Sequence, residues 1–537
     1  GCRISAQRGV VLEECHDSVV ANNTCSGSGM AIVLFLSHDN FISGNRLSGQ
    51  MLSGIDDFHS RGNSHSNNTI SGAQVGISLR GSEKCNITGN LCRKNERAGI
   101  FVENGSENSL RDNHLSENGN GILLQGSPRN VLVNNSAYEN RYGISIRDCG
   151  GNRLRNSRLR ANLFNLRIDS VQSSTESSNY DFFVQDIDTS NLADNKSVCY
   201  LVGEVDIAVP SDCGFLGLVS CNNISAAGLN ISNSSSGVLL VNSTGCRIRG
   251  SSIGSSEWGY LLLHCASCII SDSRAADCVV GFSAEKASSC RLEQDRSINC
   301  SEEGFRAGGS QGLAVVDCEA RACQWGISLQ DSRLCRIQNC SAADIRTDGI
   351  LLRKSQEISL LDNSAAFCQR GISLAGSNSC SLMDNNASEN EMDGISLQQL
   401  TAAHLQGNLA RHNGQGIFAQ SCRDLYLEKN LLEENSRFGL RMSGCQGGKI
   451  TENSISGNSI SGANLVDCKE NVLYHNLFQD NGQNAADNGA NQWDGGEAVG
   501  GNYWSDHPVV GNPSQEARQI AGKGIDRYPF ADPWGWR

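Results

Sequence analysis

The sequence has little of what a thick globular core is built from. Proline occurs only 6 times, and aromatic residues make up 6% of the 537 residues. Side chains this small suit a thin core of stacked aliphatic groups instead. No run of 18 apolar residues occurs, so no segment reads as a membrane-spanning helix. Basic residues are also short: 44 Lys and Arg stand against 57 Asp and Glu, for a net charge of −13. That balance excludes nucleic acid as a partner, since such partners select a basic face. Methionine (5) and histidine (10) are scattered, and Cys265 and Cys268 form a lone CxxC. Neither pattern defines a metal site, so no metal and no cofactor is expected.

What is present is a repeat. The phrase Gly, aliphatic, any residue, aliphatic recurs at Gly54-Ile55, Gly76-Ile77, Gly99-Ile100, Gly121-Ile122 and Gly143-Ile144. It returns from Gly237-Val238 through Gly326-Ile327 and Gly371-Ile372 to Gly462-Ala463, with adjacent spacings of 22 or 23 residues within each run. Gly9, Ala31, Asn165 and Gly214 fit the same register. Inside the phrase the apolar residues alternate, as in Ile77-Ser78-Leu79, which is the period of a strand and not of a helix. Short strands repeated at this interval predict an all-β right-handed parallel β-helix solenoid of about 20 rungs. Parallel stacking at ~4.8 Å per rung makes that a rod of roughly 95 Å.

Two columns support the register. Fourteen residues after the start stand Asn45, Asn90, Asn113, Asn135, Asn363, Asn385, Asn408, Asn430, Asn453 and Asn476. Nineteen residues after it stand Asn95, Asn118, Asn140, Asn162, Asn390, Asn413, Asn435, Asn458 and Asn481. Asparagine suits turns and stacks into ladders of amide hydrogen bonds. The rhythm breaks twice, so four regions are expected: 1–169 and 214–481 as the two halves of the β-helix, 170–213 as an insert with extra strands, and 482–537 as a C-terminal cap. In the insert, Tyr180-Asp181-Phe182-Phe183 and Cys199-Tyr200-Leu201-Val202 read as a strand pair leaving the rod. The tail carries Trp493, Trp504, Trp534 and Trp536, which suit the cover a solenoid end requires.

Most of the 24 cysteines fall into repeat columns. Three consecutive rungs carry Cys246, Cys268 and Cys290; three carry Cys278, Cys300 and Cys323; three carry Cys422, Cys445 and Cys468. These are expected to point inward. Three readings stay open: buried thiols as small apolar fillers, partial disulfides between rungs, and a metal-binding thiol column. Cys2, Cys199 and Cys213 stand outside the columns and are candidates for disulfides between subunits.

The repeat of Gly-Ile-x-Leu followed by Asn-x-Ile-x-x-Asn resembles the NosD-type β-helix repeats, also called carbohydrate-binding and sugar-hydrolase repeats. Asp186-Ile187-Asp188-Thr189-Ser190-Asn191 leading to Tyr200-Leu201-Val202 narrows the likeness to large surface proteins of methanogenic archaea. So does Gly501-Asn502-Tyr503-Trp504-Ser505-Asp506 followed by Ile525-Asp526-Arg527-Tyr528-Pro529. The resemblance covers nearly the whole chain and implies an extracellular or cell-surface location. The chain opens inside a repeat at Gly1-Cys2-Arg3-Ile4, so an export segment is expected to lie outside this sequence.

The residues leave two main function classes. One is a structural cell-surface rod whose partner is itself, assembling into an envelope layer, sheath or filament. The other is a carbohydrate-binding or carbohydrate-active β-helix whose partners are glycans. The NosD resemblance implies a third, a periplasmic role in copper-site assembly. The motifs Asn-Thr-Asp, Gly-His-Gly and Asp-Pro-His, found in β-helix enzymes, are absent, so no turnover is expected. The best catalytic candidates are Asp56, Asp57, His59 and Arg61, paired carboxylates beside a His, with Arg80 one rung on. The competing reading is a bulged rung with a solvated polar face. An apolar strip at the outward positions Leu239, Val241, Leu261 and Leu263 reads as an interface, or as a surface that the insert covers. Glycosylation sequons stand at Asn22, Asn67, Asn86, Asn104, Asn134, Asn195, Asn223, Asn230, Asn233, Asn242, Asn299, Asn339 and Asn386.

Overall fold

The computed structural model describes residues 3–4, 8–170 and 180–537. Cys2 lies outside them. The chain forms two compact units, Gly1–Leu263 and His264–Arg537. Each is a parallel β-helix, and no helix among the described residues is long and apolar enough to cross a membrane.

In the first unit a typical rung supplies one six-residue strand and two three-residue strands. The long strands include Met30–Phe35, Ser53–Phe58, Val75–Arg80, Ala98–Glu103, Asn120–Gln125 and Tyr142–Arg147, within one eight-stranded parallel sheet. Their inward aliphatics stack in register, Ile32 on Ile55, Ile77, Ile100, Ile122 and Ile144. The glycine that opens the phrase is required by close approach. A Cβ on Gly76 would stand 2.3 Å from the Gly99 carbonyl oxygen of the next rung.

The corners explain the asparagine columns. Gly44, Asn67, Gly89, Asp112 and Asn134 all have left-handed backbone, which Gly, Asn and Asp adopt most readily. Each turns the chain so that the next residue, Asn45, Asn68, Asn90, Asn113 or Asn135, is buried. There the backbone N–H and Nδ2 of one Asn both donate to Oδ1 of the Asn a rung later. For Asn68 and Asn90 both distances are 3.0 Å. Nδ2 also donates to a carbonyl of the preceding rung, as from Asn113 to Ile87 at 2.9 Å. The column thus pairs buried backbone groups that a turn leaves without partners.

The expected strand pair leaving the rod is not what forms. Asp181–Phe183 is a turn of 3-10 helix. Gln185 and Asn191 then re-enter the amide ladders, accepting from the backbone N–H of Asn152 (3.0 Å) and Ser157 (3.1 Å). Strand Lys196–Val202 pairs parallel with Cys213–Val219, on which Ser236–Val241 and Trp258–Leu263 stack. The Gln185 amide thus stands where most rungs supply Asn, accepting from both the backbone N–H and Nδ2 of Asn152, and the ladder continues through it.

The second unit repeats the plan with long strands that include Asp348–Arg353, Arg370–Ala375, Asp393–Gln398, Gln415–Gln420, Phe438–Ser443 and Ser461–Val466. Stacking continues beyond residue 481 through Ala485–Asp487 and Tyr503–Trp504. Trp504 lies flat on Phe478, ring centroids 4.4 Å apart, and Trp493 is fully buried beside them. Their indole N–H groups donate to Asp526 (2.8 Å) and Asp487 (2.9 Å). The aromatic residues scarce elsewhere are concentrated here.

Candidate functional site

The structure separates the four candidates. Strand Ser53–Phe58 pairs in register with both neighbours, so the rung carries no bulge. Asp57 takes the inward position of Leu34 and Leu79 and is 0% exposed, which rules out a solvated face. Its Oδ2 accepts from Asn63 Nδ2 at 3.0 Å and meets His65 Nε2 at 2.8 Å, while Oδ1 accepts from Ser82 at 3.1 Å. Asp56 points the other way and pairs with Arg80. His59 sits in a left-handed turn with its ring 4.2 Å from Phe58, and the Arg61 N–H donates to His38 Nδ1 at 3.0 Å. Both are exposed. Asp57, turned inside, is thereby cut off from the other three, which lie on the outside.

Sequence reasoning missed His65. It occupies a position where neighbouring rungs carry Ile42 and Ile87, and it is fully buried. Two inward rules broken in one rung, eight residues apart, were the available signal. Nδ1 of His65 has no partner, so the ring hydrogen belongs on Nε2, donating to Asp57. Burial and the Asp57 carboxylate hold the nearby Cys85 thiol well above its usual range.

On the outer face of the same sheet, Asp56, Arg80, Ser78, Arg97 and Phe101 line a cleft of about 130 Å³. Arg97 caps the Phe101 ring at 4.0 Å, which hides an outward residue that strict strand alternation would leave in water. A richer face occurs in the second unit, and sequence reasoning missed it. Asp348 is buried and held by both Nε (2.7 Å) and Nη2 (3.1 Å) of Arg370. Along the next rungs, Asp393, Gln415 and Phe438 form one column, and Ser396, Phe418 and Arg441 form the column beside it. Gln415 Nε2 donates to Asp393 Oδ1 at 2.8 Å. Burial raises the Asp393 pKa, against the ionising effect of hydrogen bonds from Gln415 and Ser396 and of the nearby Arg370 and Arg437 guanidinium groups. Gln415 Oε1, Ser396 Oγ and Arg441 Nε are buried without a hydrogen-bond partner of ordinary geometry. Such groups are costly to leave unmet, and their oxygens and N–H are suited to a ligand.

For the apolar strip the structure favours the second of its two readings. Leu239 and Val241 are 0% exposed, and Leu261 and Leu263 are partly buried. All four belong to or pack on one cluster with Phe183 and Tyr200, against which Tyr180, Phe182 and Val202 also pack. The chain's own insert therefore shields this strip, which removes it as an exposed interface. The reading of Cys199 and Cys213 as links between subunits is corrected. They are bonded to each other across paired strands. Cys246, Cys268, Cys290, Cys278, Cys300, Cys323, Cys422, Cys445 and Cys468 are all buried. Of the sequon asparagines, Asn233 is half-buried and Asn22, Asn67, Asn86, Asn104, Asn134, Asn195, Asn223, Asn230, Asn242, Asn299, Asn339 and Asn386 are exposed.

A family model described as "Periplasmic copper-binding protein (NosD)" matches residues 52–181 and 326–508. One described as "Right handed beta helix region" matches residues 216–365. No curated protein matches the chain. Among solved structures, the periplasmic alginate epimerase AlgG is 13% identical with a TM-score of 0.37, over 52% of this chain and 75% of its own. PfbA, a surface adhesin of Streptococcus pneumoniae, is 10% identical with a TM-score of 0.41, over 58% of this chain and 91% of its own. A lacto-N-biosidase from Eubacterium ramulus is 11% identical with a TM-score of 0.34, over 56% of this chain and 60% of its own. These likenesses are of fold alone.

The family description raises copper, and the donor set of this chain bears on it. Copper sites use converging thiolate, thioether or imidazole ligands. Among the described residues no group of three or more His, Cys, Asp or Glu converges in that way. The cysteines lie along columns, and their thiols bond backbone carbonyls, as Cys422 with Leu397 (3.6 Å) and Gln420 (3.3 Å), and stacked thiols bond one another, as Cys445 with Cys422 and Cys468. The residues present do not fit a copper centre.

Proposed function

The chain belongs to the NosD family of right-handed β-helices, and we propose that it is an exported protein that binds an extended glycan along the outer face of its long-strand sheets. One observation carries this reading. In the second unit, Gln415 Oε1 and Arg441 Nε stand buried and unpartnered on two successive rungs of that face, beside the aromatic rings of Phe418 and Phe438. Hydroxyl-rich chains satisfy such groups, and sugar faces stack on aromatic rings. Acids on these faces are tied to guanidinium groups, as Asp56 to Arg80 and Asp348 to Arg370, an arrangement for holding a ligand. The Cys199–Cys213 disulfide supports an oxidising, exported location.

Self-assembly into an envelope layer is the weaker reading, because the apolar strip on which it rested is buried. Affinity electrophoresis of the full chain in gels containing neutral or acidic polysaccharides tests the proposal. Retardation without release of new reducing ends is expected, weakened about tenfold in Gln415→Ala by loss of a buried polar contact. Equal mobility in every gel, for both proteins, would sink the proposal.

A further inference from the structure

We propose that Arg437 and Arg441, on either side of Phe438, form a subsite for the carboxylate of an acidic sugar. This rests on the glycan reading above and names the residue class within the chain that is bound. The guanidinium carbon of Arg437 lies 5.7 Å from the Phe438 ring centroid and that of Arg441 lies 5.2 Å away. Arg441 also faces Phe418 at 5.9 Å. Two arginines of the long strands are matched by acids, Arg370 by Asp348 (2.7 Å) and Arg306 by Glu285 (3.0 Å). Among the described residues neither Arg437 nor Arg441 has a carboxylate at ion-pair distance, and Nε of Arg441 is buried with nothing to accept its hydrogen.

A guanidinium held against an aromatic ring is partly desolvated, and its fork of N–H donors matches a carboxylate in two parallel hydrogen bonds. The geometry extends to the rest of the sugar. Gln415 stacks directly on Phe438 and Ser396 directly on Phe418, one rung earlier in each column. Gln415 Oε1 therefore offers an acceptor to the ring next to the one whose carboxylate the arginines hold. A free carboxylate and a sulfate ester share this chemistry, and the flat two-oxygen match favours the carboxylate. Asp393, on the same face, would repel an anion when ionised. Its burial favours the protonated form and lessens that repulsion.

The test is titration of the full chain with polygalacturonate oligomers and with the same oligomers methyl-esterified, followed by dextran sulfate and dextran. The acid form is expected to bind at least tenfold tighter than the ester. Arg441→Gln and Arg437→Gln should each erase most of that preference while melting at the wild-type temperature, since both lie on the outer face. Equal binding of acid and ester overturns the subsite and leaves glycan binding standing. Binding of dextran sulfate alone replaces the carboxylate by a sulfate ester and overturns the assignment. No binding to any polymer removes both this inference and the reading on which it rests.

Discussion

Asp57 in the first unit and Asp295 in the second are carboxylates that the repeat carries inside, and their surroundings differ. Asp57 has side-chain partners on every side: His65 Nε2, Asn63 Nδ2 and Ser82 Oγ, all within 3.1 Å. Asp295 has only two backbone N–H groups, from Ser273 at 2.9 Å and Glu293 at 3.1 Å. It stands in the fourteenth-residue column, where most rungs place Asn, and burial lifts its pKa to about 8. One rung has evolved a set of donors around its acid. The other has put an acid into a slot made for an amide, and burial there favours its protonated form. A buried acid therefore signals function only after its partners are counted.

The largest effect should come from breaking the complete set. Asp57→Ala leaves His65 Nε2 and an Asn63 N–H buried without an acceptor, and should cost ~3–5 kcal/mol. Hydrogen exchange of the amides in Ser53–Phe58 and Ser64–Ser66 reads this locally. The double change Asp57→Leu, His65→Ile installs what Leu79 and Ile87 supply one rung on, and should return to within ~1 kcal/mol of the starting protein. A double variant as unstable as the single one would mean that the pair does more than satisfy itself.

The fold was legible in the sequence because it is set by a period. A 22–23-residue spacing with alternating aliphatics leaves few architectures, and the Asn columns mark corners whose hydrogen bonds require an amide. The candidate site was legible only in part. Alternation places the residue before each repeat glycine on the inner face, yet Val75 and Ala98 cluster with the outward Phe101 and Leu123, apart from the main core. The glycine resets the alternation, and that is how Asp348, Asp393 and Gln415 escaped notice. The strip at Leu239 and Val241 left two readings open for another reason. Whether an outward residue is exposed depends on what the chain lays over it, and Phe183 and Tyr200 come from an irregular segment with no period to follow.

The second break is at the incomplete set, and it depends on pH. The folded-state pKa of Asp295, about 8, lies above the ordinary value near 3.9 of an unfolded chain. The folded state therefore holds its proton more tightly, and this contribution to stability is fully present below about pH 4. It is lost as the pH rises toward 8. Asp295→Asn supplies the amide permanently, so it should stabilise by ~1–3 kcal/mol at pH 8 and by much less at pH 4. Parallel denaturation at the two pH values checks this. A variant with the same pH dependence as the parent would show that Asp295 is ionised in the fold throughout.

The smallest effect should come from the cysteines, which occupy ladder positions without forming a ladder of comparable strength. Cys300 stands in the nineteenth-residue column, where the first unit has Asn118. The amide of Asn118 bonds Asn140 Oδ1 (3.0 Å) and the Cys92 carbonyl (3.1 Å), and its backbone N–H bonds Asn140 Oδ1 at 2.8 Å. Cys300 Sγ has Ser297 Oγ at 3.2 Å and the Ile298 carbonyl at 3.9 Å. A thiol is a weak donor and a weak acceptor, so what it contributes is mostly apolar volume. Cys300→Ala should then cost about 1 kcal/mol, the transfer free energy of one small group, against roughly 2–4 kcal/mol for Asn118→Ala, which strands buried backbone groups. The neighbouring Cys278 thiol, together with burial, raises the Cys300 pKa to about 11, so at pH 8 it stays a thiol. Slow alkylation of the native protein at that pH, accelerating only on unfolding, is the matching observation. A loss on Cys300→Ala as large as that on Asn118→Ala would show instead that the thiols carry the column by bonding, as the amides do.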